Sequence, residues 1–131
     1  MELKDLIGSH MLDAVEFSIS GDSQVIYFRL DGQVYAATED PDDGYRSLME
    51  DIQMVDKKMS NTFEPIEVFG YHISNNTLND TDILELYDVI TERLVLEVGT
   101  DDSDYYYPLF VARFYPEAMV INAKQLKKDT E

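Results

Sequence analysis

Apolar and polar residues alternate with a period of two along most of this chain, and long helical periodicity is scarce. The first run, residues 11–20, is expected to place Met11, Val15, Phe17 and Ile19 on one strand face and Glu16 and Ser18 on the other. A turn at Gly21, Asp22 and Ser23 leads to a second strand over 25–30, with Ile26, Phe28 and Leu30 together. Asp31-Gly32 is the strongest local signal. A two-residue Asp-Gly loop between alternating segments suits a type I′ hairpin, whose central residues both need positive φ. Residues 33–38 return as a third strand, with Val34 and Ala36 assigned to the preceding apolar face.

Residues 39–44 break the alternation. Tyr45, Leu48, Met49, Ile52 and Val55 then fall at helical spacing, so 45–55 is the one helix candidate. Acids before it and Lys57-Lys58 after it carry the signs that a helix dipole favours. Residues 65–73 read as a fourth strand, and 83–90 and 93–98 as a pair about a tight turn at Thr91-Glu92. Residues 109–115 form the last strand, which Pro116 ends. Segments 74–82 and 99–108 are polar or acidic loops. The expected fold is α+β and mainly β: an antiparallel meander of about seven strands with one short helix. One globular domain is expected over 1–121, followed by a polar, frayed tail over 122–131.

Charge changes the picture more than length does. The 131 residues carry 27 acids against 10 lysines and arginines, a formal net charge of −17. Residues 2–56 hold 13 acids and 3 bases and residues 59–123 hold 12 and 2, so the acid runs through the body of the chain. Nine Tyr, six Phe and a 44% apolar fraction separate it from disordered acidic chains, which are poor in aromatics. A field of that sign repels nucleic acid and anionic membrane and attracts basic protein surfaces. No direct nucleic-acid binding and no membrane association are therefore expected.

Candidate chemistry is sparse. The absence of cysteine removes disulfides, thiolate nucleophiles and thiol metal sites. The start of the chain lacks the basic and apolar regions of a signal peptide, so a cytoplasmic location is expected. Asp40, Asp42, Asp43 and Gly44 miss the register of a calcium loop, in which Gly stands sixth and Glu twelfth. His10 and His72 stand in no metal-ligand spacing. No nucleophile elbow, phosphate-cradling loop or dinucleotide turn is present. Neither a catalytic residue, a cofactor nor a metal is assigned, and the protein is expected not to be an enzyme.

The order from Leu6-Ile7-Gly8 through Asp31-Gly32 to Met49-Glu50-Asp51-Ile52 has a further meaning. With Leu84-Glu85-Leu86-Tyr87-Asp88 and the stretch Gly99 to Tyr106, it resembles a family of small acidic uncharacterised proteins encoded by phages and bacteria. That resemblance implies a small sheet-based domain and a phage setting, and it brings no activity. Cysteines expected there near Asp42-Asp43-Gly44 are absent from this chain.

Most tyrosines on alternating strands, including Tyr71, Tyr87 and Tyr115, are expected to pack the sheet. Tyr105, Tyr106 and Tyr107 differ because they share a loop with Asp101, Asp102 and Asp104, and tyrosine is enriched at interfaces. In a meander, loops alternate ends, which should gather Asp22 with Glu39, Asp40, Asp42 and Asp43, and Asp80 and Asp82 with Asp101, Asp102 and Asp104. Carboxylates two apart on a strand face lie about 6.7 Å apart, close to the phosphate spacing of one nucleic-acid strand. These acids and the three tyrosines are the candidate partner-binding residues. The expected function is a phage-type inhibitor that blocks the nucleic-acid site of a basic host defence protein, as anti-CRISPR or anti-restriction mimics of DNA do. The alternatives are an immunity protein or antitoxin against a basic toxin, and a non-enzymatic accessory phage protein.

Overall fold

The computed structural model describes residues 1–40, 49–74, 81–101 and 109–120. Among them, eight strands form one antiparallel sheet. They are β1 (Gly8–Ser20), β2 (Ser23–Leu30), β3 (Gln33–Glu39), β4 (Met49–Val55), β5 (Thr62–Ser74), β6 (Asp82–Asp88), β7 (Leu94–Asp101) and β8 (Leu109–Phe114). Their order across the sheet, β4-β3-β2-β1-β5-β6-β7-β8, makes two meanders that share β1. The mainly β character expected from the alternation is present, and the only helical segments described are 3-10 turns at Leu3–Leu6 and Pro116–Ala118.

The expected helix over 45–55 is not formed across 49–55, which is β4; residues 41–48 lie outside the described residues. Ile52 and Val55, three apart, share a face only in a helix; in β4 they take opposite faces, Ile52 in the core and Val55 against Ala14, Val34 and Met59. Pairing decides: β4 supplies backbone partners to β3 through Val34↔Val55 and Ala37↔Ile52, which a helix would leave open. Lys57 is consequently no helix-terminal charge.

Two face assignments also change. A bulge between Leu12 and Ala14 inserts one residue into β1 and reverses its alternation. Leu12 and Val15 both face the core, whereas Met11 is exposed and does not share the Val15 face. Asp13, at the bulge, is held by Arg29 through Nε–Oδ1 at 2.6 Å and Nη2–Oδ2 at 2.8 Å. In the hairpin, Asp31 and Gly32 both have positive φ, 54° and 83°. A two-residue loop sets Leu30 opposite Gln33 and Phe28 opposite Tyr35. Tyr35 and Ala37 therefore join the Phe28 face, and Val34 and Ala36 take the other.

The sheet curls so that its inner face closes on itself. Core residues come from both meanders: Ile26, Phe28 and Ile52 from one, Val68, Leu84, Leu86 and Val98 from the other. Leu3 and Leu6 of the first 3-10 turn fill the same core. Gly70 makes room for that turn, because a Cβ there would stand 2.5 Å from the Leu6 carbonyl oxygen. At the seam, the Met49 backbone N–H donates to Thr100 Oγ1 at 3.0 Å, linking the start of β4 to the end of β7.

Between β4 and β5 the chain must return from the sheet's edge to the far side of β1. Residues 56–61 make that return across the outer face. Met59 is buried there against Ala14 and Val34, with Tyr27 and Val55 packed alongside. Beneath the crossing lies Glu16, whose residue is only 7% exposed. Its Oε1 accepts from the Ser60 and Asn61 backbone N–H groups at 2.6 and 3.1 Å and from the Ser60 hydroxyl. Its Oε2 meets Lys57 Nζ at 3.0 Å, and that ammonium also lies 4.7 Å from the Tyr27 ring centroid. The Ser60 hydroxyl and then the Lys57 ammonium, with the two N–H groups, outweigh burial and hold the carboxyl at about 2.

A folded-state value below that of the unfolded chain means the contribution is complete at neutral pH and disappears on acidification, between about pH 5 and about pH 2. Glu16→Gln should therefore lower stability by about 3 kcal/mol at pH 7, since it leaves Lys57 facing a neutral group. Urea unfolding at stepped pH should show the gap from the parent closing in acid. Parallel pH curves for the two proteins would refute this role of Glu16.

Candidate interaction surface

Of the residues assigned to partner binding, Asp42, Asp43, Asp80, Asp102, Asp104, Tyr105, Tyr106 and Tyr107 lie outside the described residues. The other five can be placed. Asp22 is exposed in the β1–β2 turn. Glu39 ends β3 and accepts from the Gln24 backbone N–H at 3.4 Å, so it sits beside that turn, and Asp40 follows it. Asp82 opens β6, with its side chain 47% exposed and its carboxylate paired to His72 Nε2. Asp101 closes β7 opposite Leu109 of β8.

In the order of the sheet, the ends of β3 and β7 occupy diagonally opposite corners. Curling brings those corners together. Glu39 is paired with Met49, Met49 is bonded to Thr100, and Thr100 is paired with Asp82. Two groups of acids that are remote in the sequence thus border one seam. Alternation of loops along a flat meander does not reveal this, because the contact depends on how far the sheet coils.

Several other acids serve as acceptors for nearby donors, some buried like Asp88 and some exposed like Asp31, whose side chain is 54% exposed. Asp88, 2% exposed, accepts from the backbone N–H groups of Ile90 and Thr91 at 2.7 and 3.0 Å through Oδ1 and of Val120 at 3.0 Å through Oδ2. Asp31 binds His10 Nδ1 at 2.6 Å and the Met11 N–H at 2.9 Å. The histidine contact first, and the N–H next, hold its carboxyl below the ordinary range. The His10 ring also reaches the Leu6 carbonyl at 2.8 Å, which ties the first 3-10 turn to the β2–β3 hairpin.

The outer face of β5–β8 carries a surface that sequence reasoning missed. Residues 67, 69, 71 and 73 point outward while Val68 and Gly70 point to the core. Phe69, Tyr71 and Ile73 are 36%, 52% and 41% exposed, so Tyr71 does not pack into the sheet as expected. Phe69 is paired with Tyr87, and Tyr71 with Glu85. A readable signal was available: apolar residues at both parities of 66–73 imply a strand with two apolar faces, only one of which can serve the core.

Farther along this face, Glu85 and Glu97 stand directly opposite each other on β6 and β7, and Arg113 of β8 stands opposite Glu97. Glu97 accepts from Arg113 Nη1 and from the Tyr115 hydroxyl, both at 3.1 Å. Glu85 accepts from the Tyr87 hydroxyl at 3.0 Å. Burial, then the Glu85 hydrogen bond and the charges of Glu85 and Glu97, raise the Tyr87 hydroxyl above its usual range. Of this pair of like charges Glu97 is met by the Arg113 guanidinium and Glu85 by the Tyr87 hydroxyl.

Among the described residues, no three histidine, aspartate or glutamate side chains converge as a metal site requires, and no helix is long and apolar enough to cross a membrane. Comparison with protein-family models, with curated proteins and with solved structures finds no match to this chain.

Arg113→Ala should leave Glu97 facing Glu85 without its paired cation. A loss of about 1 kcal/mol is expected at low salt, shrinking as salt screens the pair. Urea unfolding at low and high ionic strength measures it; a loss that is independent of salt would point to lost packing instead.

Proposed function

We propose that this protein is a stoichiometric inhibitor that occupies the nucleic-acid-binding surface of a basic protein, presenting carboxylates where phosphates would lie. The observation that carries this reading is the seam, where Glu39, Asp40, Asp82 and Asp101 are drawn to one border by the Met49–Thr100 bond. A net charge of −17 supplies the steering field, which raises association rates with basic surfaces and repels nucleic acid itself. No substrate is turned over: the affinity is electrostatic, and the inhibitor leaves the complex unchanged. The resemblance to small acidic phage and bacterial proteins favours a host defence protein, such as a nuclease or CRISPR effector, met in the host cytoplasm.

The test is capture from host lysate at low and high salt, followed by competition with DNA for the captured protein. Binding should weaken steeply with salt, and DNA should displace the inhibitor. A combined Glu39→Gln, Asp40→Asn and Asp101→Asn variant should lose at least about tenfold in affinity. Binding that ignores salt and is undisturbed by DNA would sink the mimic mechanism. Retention of full affinity by the triple variant would remove the seam from it.

A further inference from the structure

We propose that the groove between Phe69, Tyr71 and Tyr87 is a seat for an arginine side chain of a protein partner. The Phe69 and Tyr71 rings are tilted at 48° with centroids 4.9 Å apart, and Tyr71 meets Tyr87 edge-on, at 82° and 5.5 Å. With Asp88, Val89 and Glu92 they line an open groove of about 440 Å³. All three rings line this groove, and an aromatic π face carries negative potential that draws a cation.

The surrounding charge has the same sign. Glu92 is exposed at the groove, and Glu85 lies beside it, bonded to the Tyr87 hydroxyl. Asp88 also lines the groove, its oxygens bonded to three backbone N–H groups. None of the lining residues is basic. A guanidinium suits an open, inclined wall better than an ammonium does. It is planar, stacks on a ring, is weakly hydrated, and still offers N–H donors at its edge to a carboxylate such as Glu92. A nucleobase could stack on the same rings, but its phosphate would meet this acidic surround. A second copy of the chain would bring another −17 to the contact.

This inference deepens the proposed function and rests on its premise of a basic protein partner. Its test needs neither that partner nor the seam. The full-length protein is titrated with a blocked Gly-Gly-Arg-Gly-Gly peptide while the aromatic resonances of Tyr71 and Tyr87 are followed by NMR. Saturable shifts of both rings are expected, with the lysine peptide weaker by about threefold and the citrulline peptide, neutral but of the same shape, inert. Tyr71→Ala and Glu92→Gln should each weaken the arginine peptide by roughly threefold. Glu92→Gln keeps the residue's size and its turn, so that arm stands even if Tyr71→Ala perturbs the sheet. Equal shifts with citrulline, equal binding of lysine, no saturation, or unchanged affinity in Glu92→Gln would each overturn the arginine seat. Saturation of the same rings by a short oligothymidylate would overturn it in favour of a nucleic acid. Failure here with DNA-competed binding intact would discard the anchor alone; the reverse result would discard the mimic and keep the groove.

Discussion

A buried carboxylate under a crossing segment holds this fold in its topology. Two meanders sharing β1 require the chain to travel back over three strands, and residues 56–61 have no sheet partner of their own in doing so. Glu16 gives their backbone N–H groups an acceptor and Lys57 a counter-charge. Without it, donors at Ser60 and Asn61 would be turned toward the sheet with nothing to accept them, and unpaired buried donors are costly. The single buried methionine of the strap, Met59, adds apolar contact but no direction. The carboxylate supplies the direction, and the second meander can then start on the correct side of β1.

The same use of acid recurs. Asp88 gathers three N–H groups from the β6–β7 turn and from Val120, and Asp31 joins the hairpin to β1 and to His10. Asp13 locks the β1 bulge through Arg29. Part of the charge excess is therefore internal bonding, where a carboxylate accepts several bonds at once and replaces a turn's missing partners. Among the described surface acids, Glu39, Asp40, Asp82 and Asp101 border the seam and Glu92 lines the outer aromatic groove. This partition allows a chain of −17 to fold: the acids that repel one another lie on the outside, and those inside are matched to donors.

Much of the sheet could be read directly from the chain. All seven strands expected from alternation are present, and the Asp31-Gly32 hairpin has the backbone it requires, because period-two burial and turn chemistry are local properties. Errors arose where one residue changed a register. The bulge at Asp13 exchanged Met11 for Leu12 in the core, and the two-residue loop placed Tyr35 rather than Val34 opposite Phe28. The spacing of Ile52 and Val55 mimics a helix because β4 buries apolar residues on both faces, and the open edge of β3 makes it a strand. For the candidate surface, the structure places Asp22, Glu39 and Asp40 of one expected cluster and Asp82 and Asp101 of the other; the remaining acids lie outside the described residues. The second apolar face of 66–73 was legible from both parities, but which of the two faces stayed bare was not, because that depends on what packs over it.

By itself, then, the chain determined every strand but β4, the Asp31-Gly32 turn and the sign of the field, all of which follow from neighbours within a few residues. The tertiary structure alone decided which face of each strand became the core. It also decided where Glu16 would find its donors and which diagonal corners would meet at Met49 and Thr100. Those outcomes depend on coiling and crossover, and both are set by contacts between residues tens of positions apart, where local pattern carries no information.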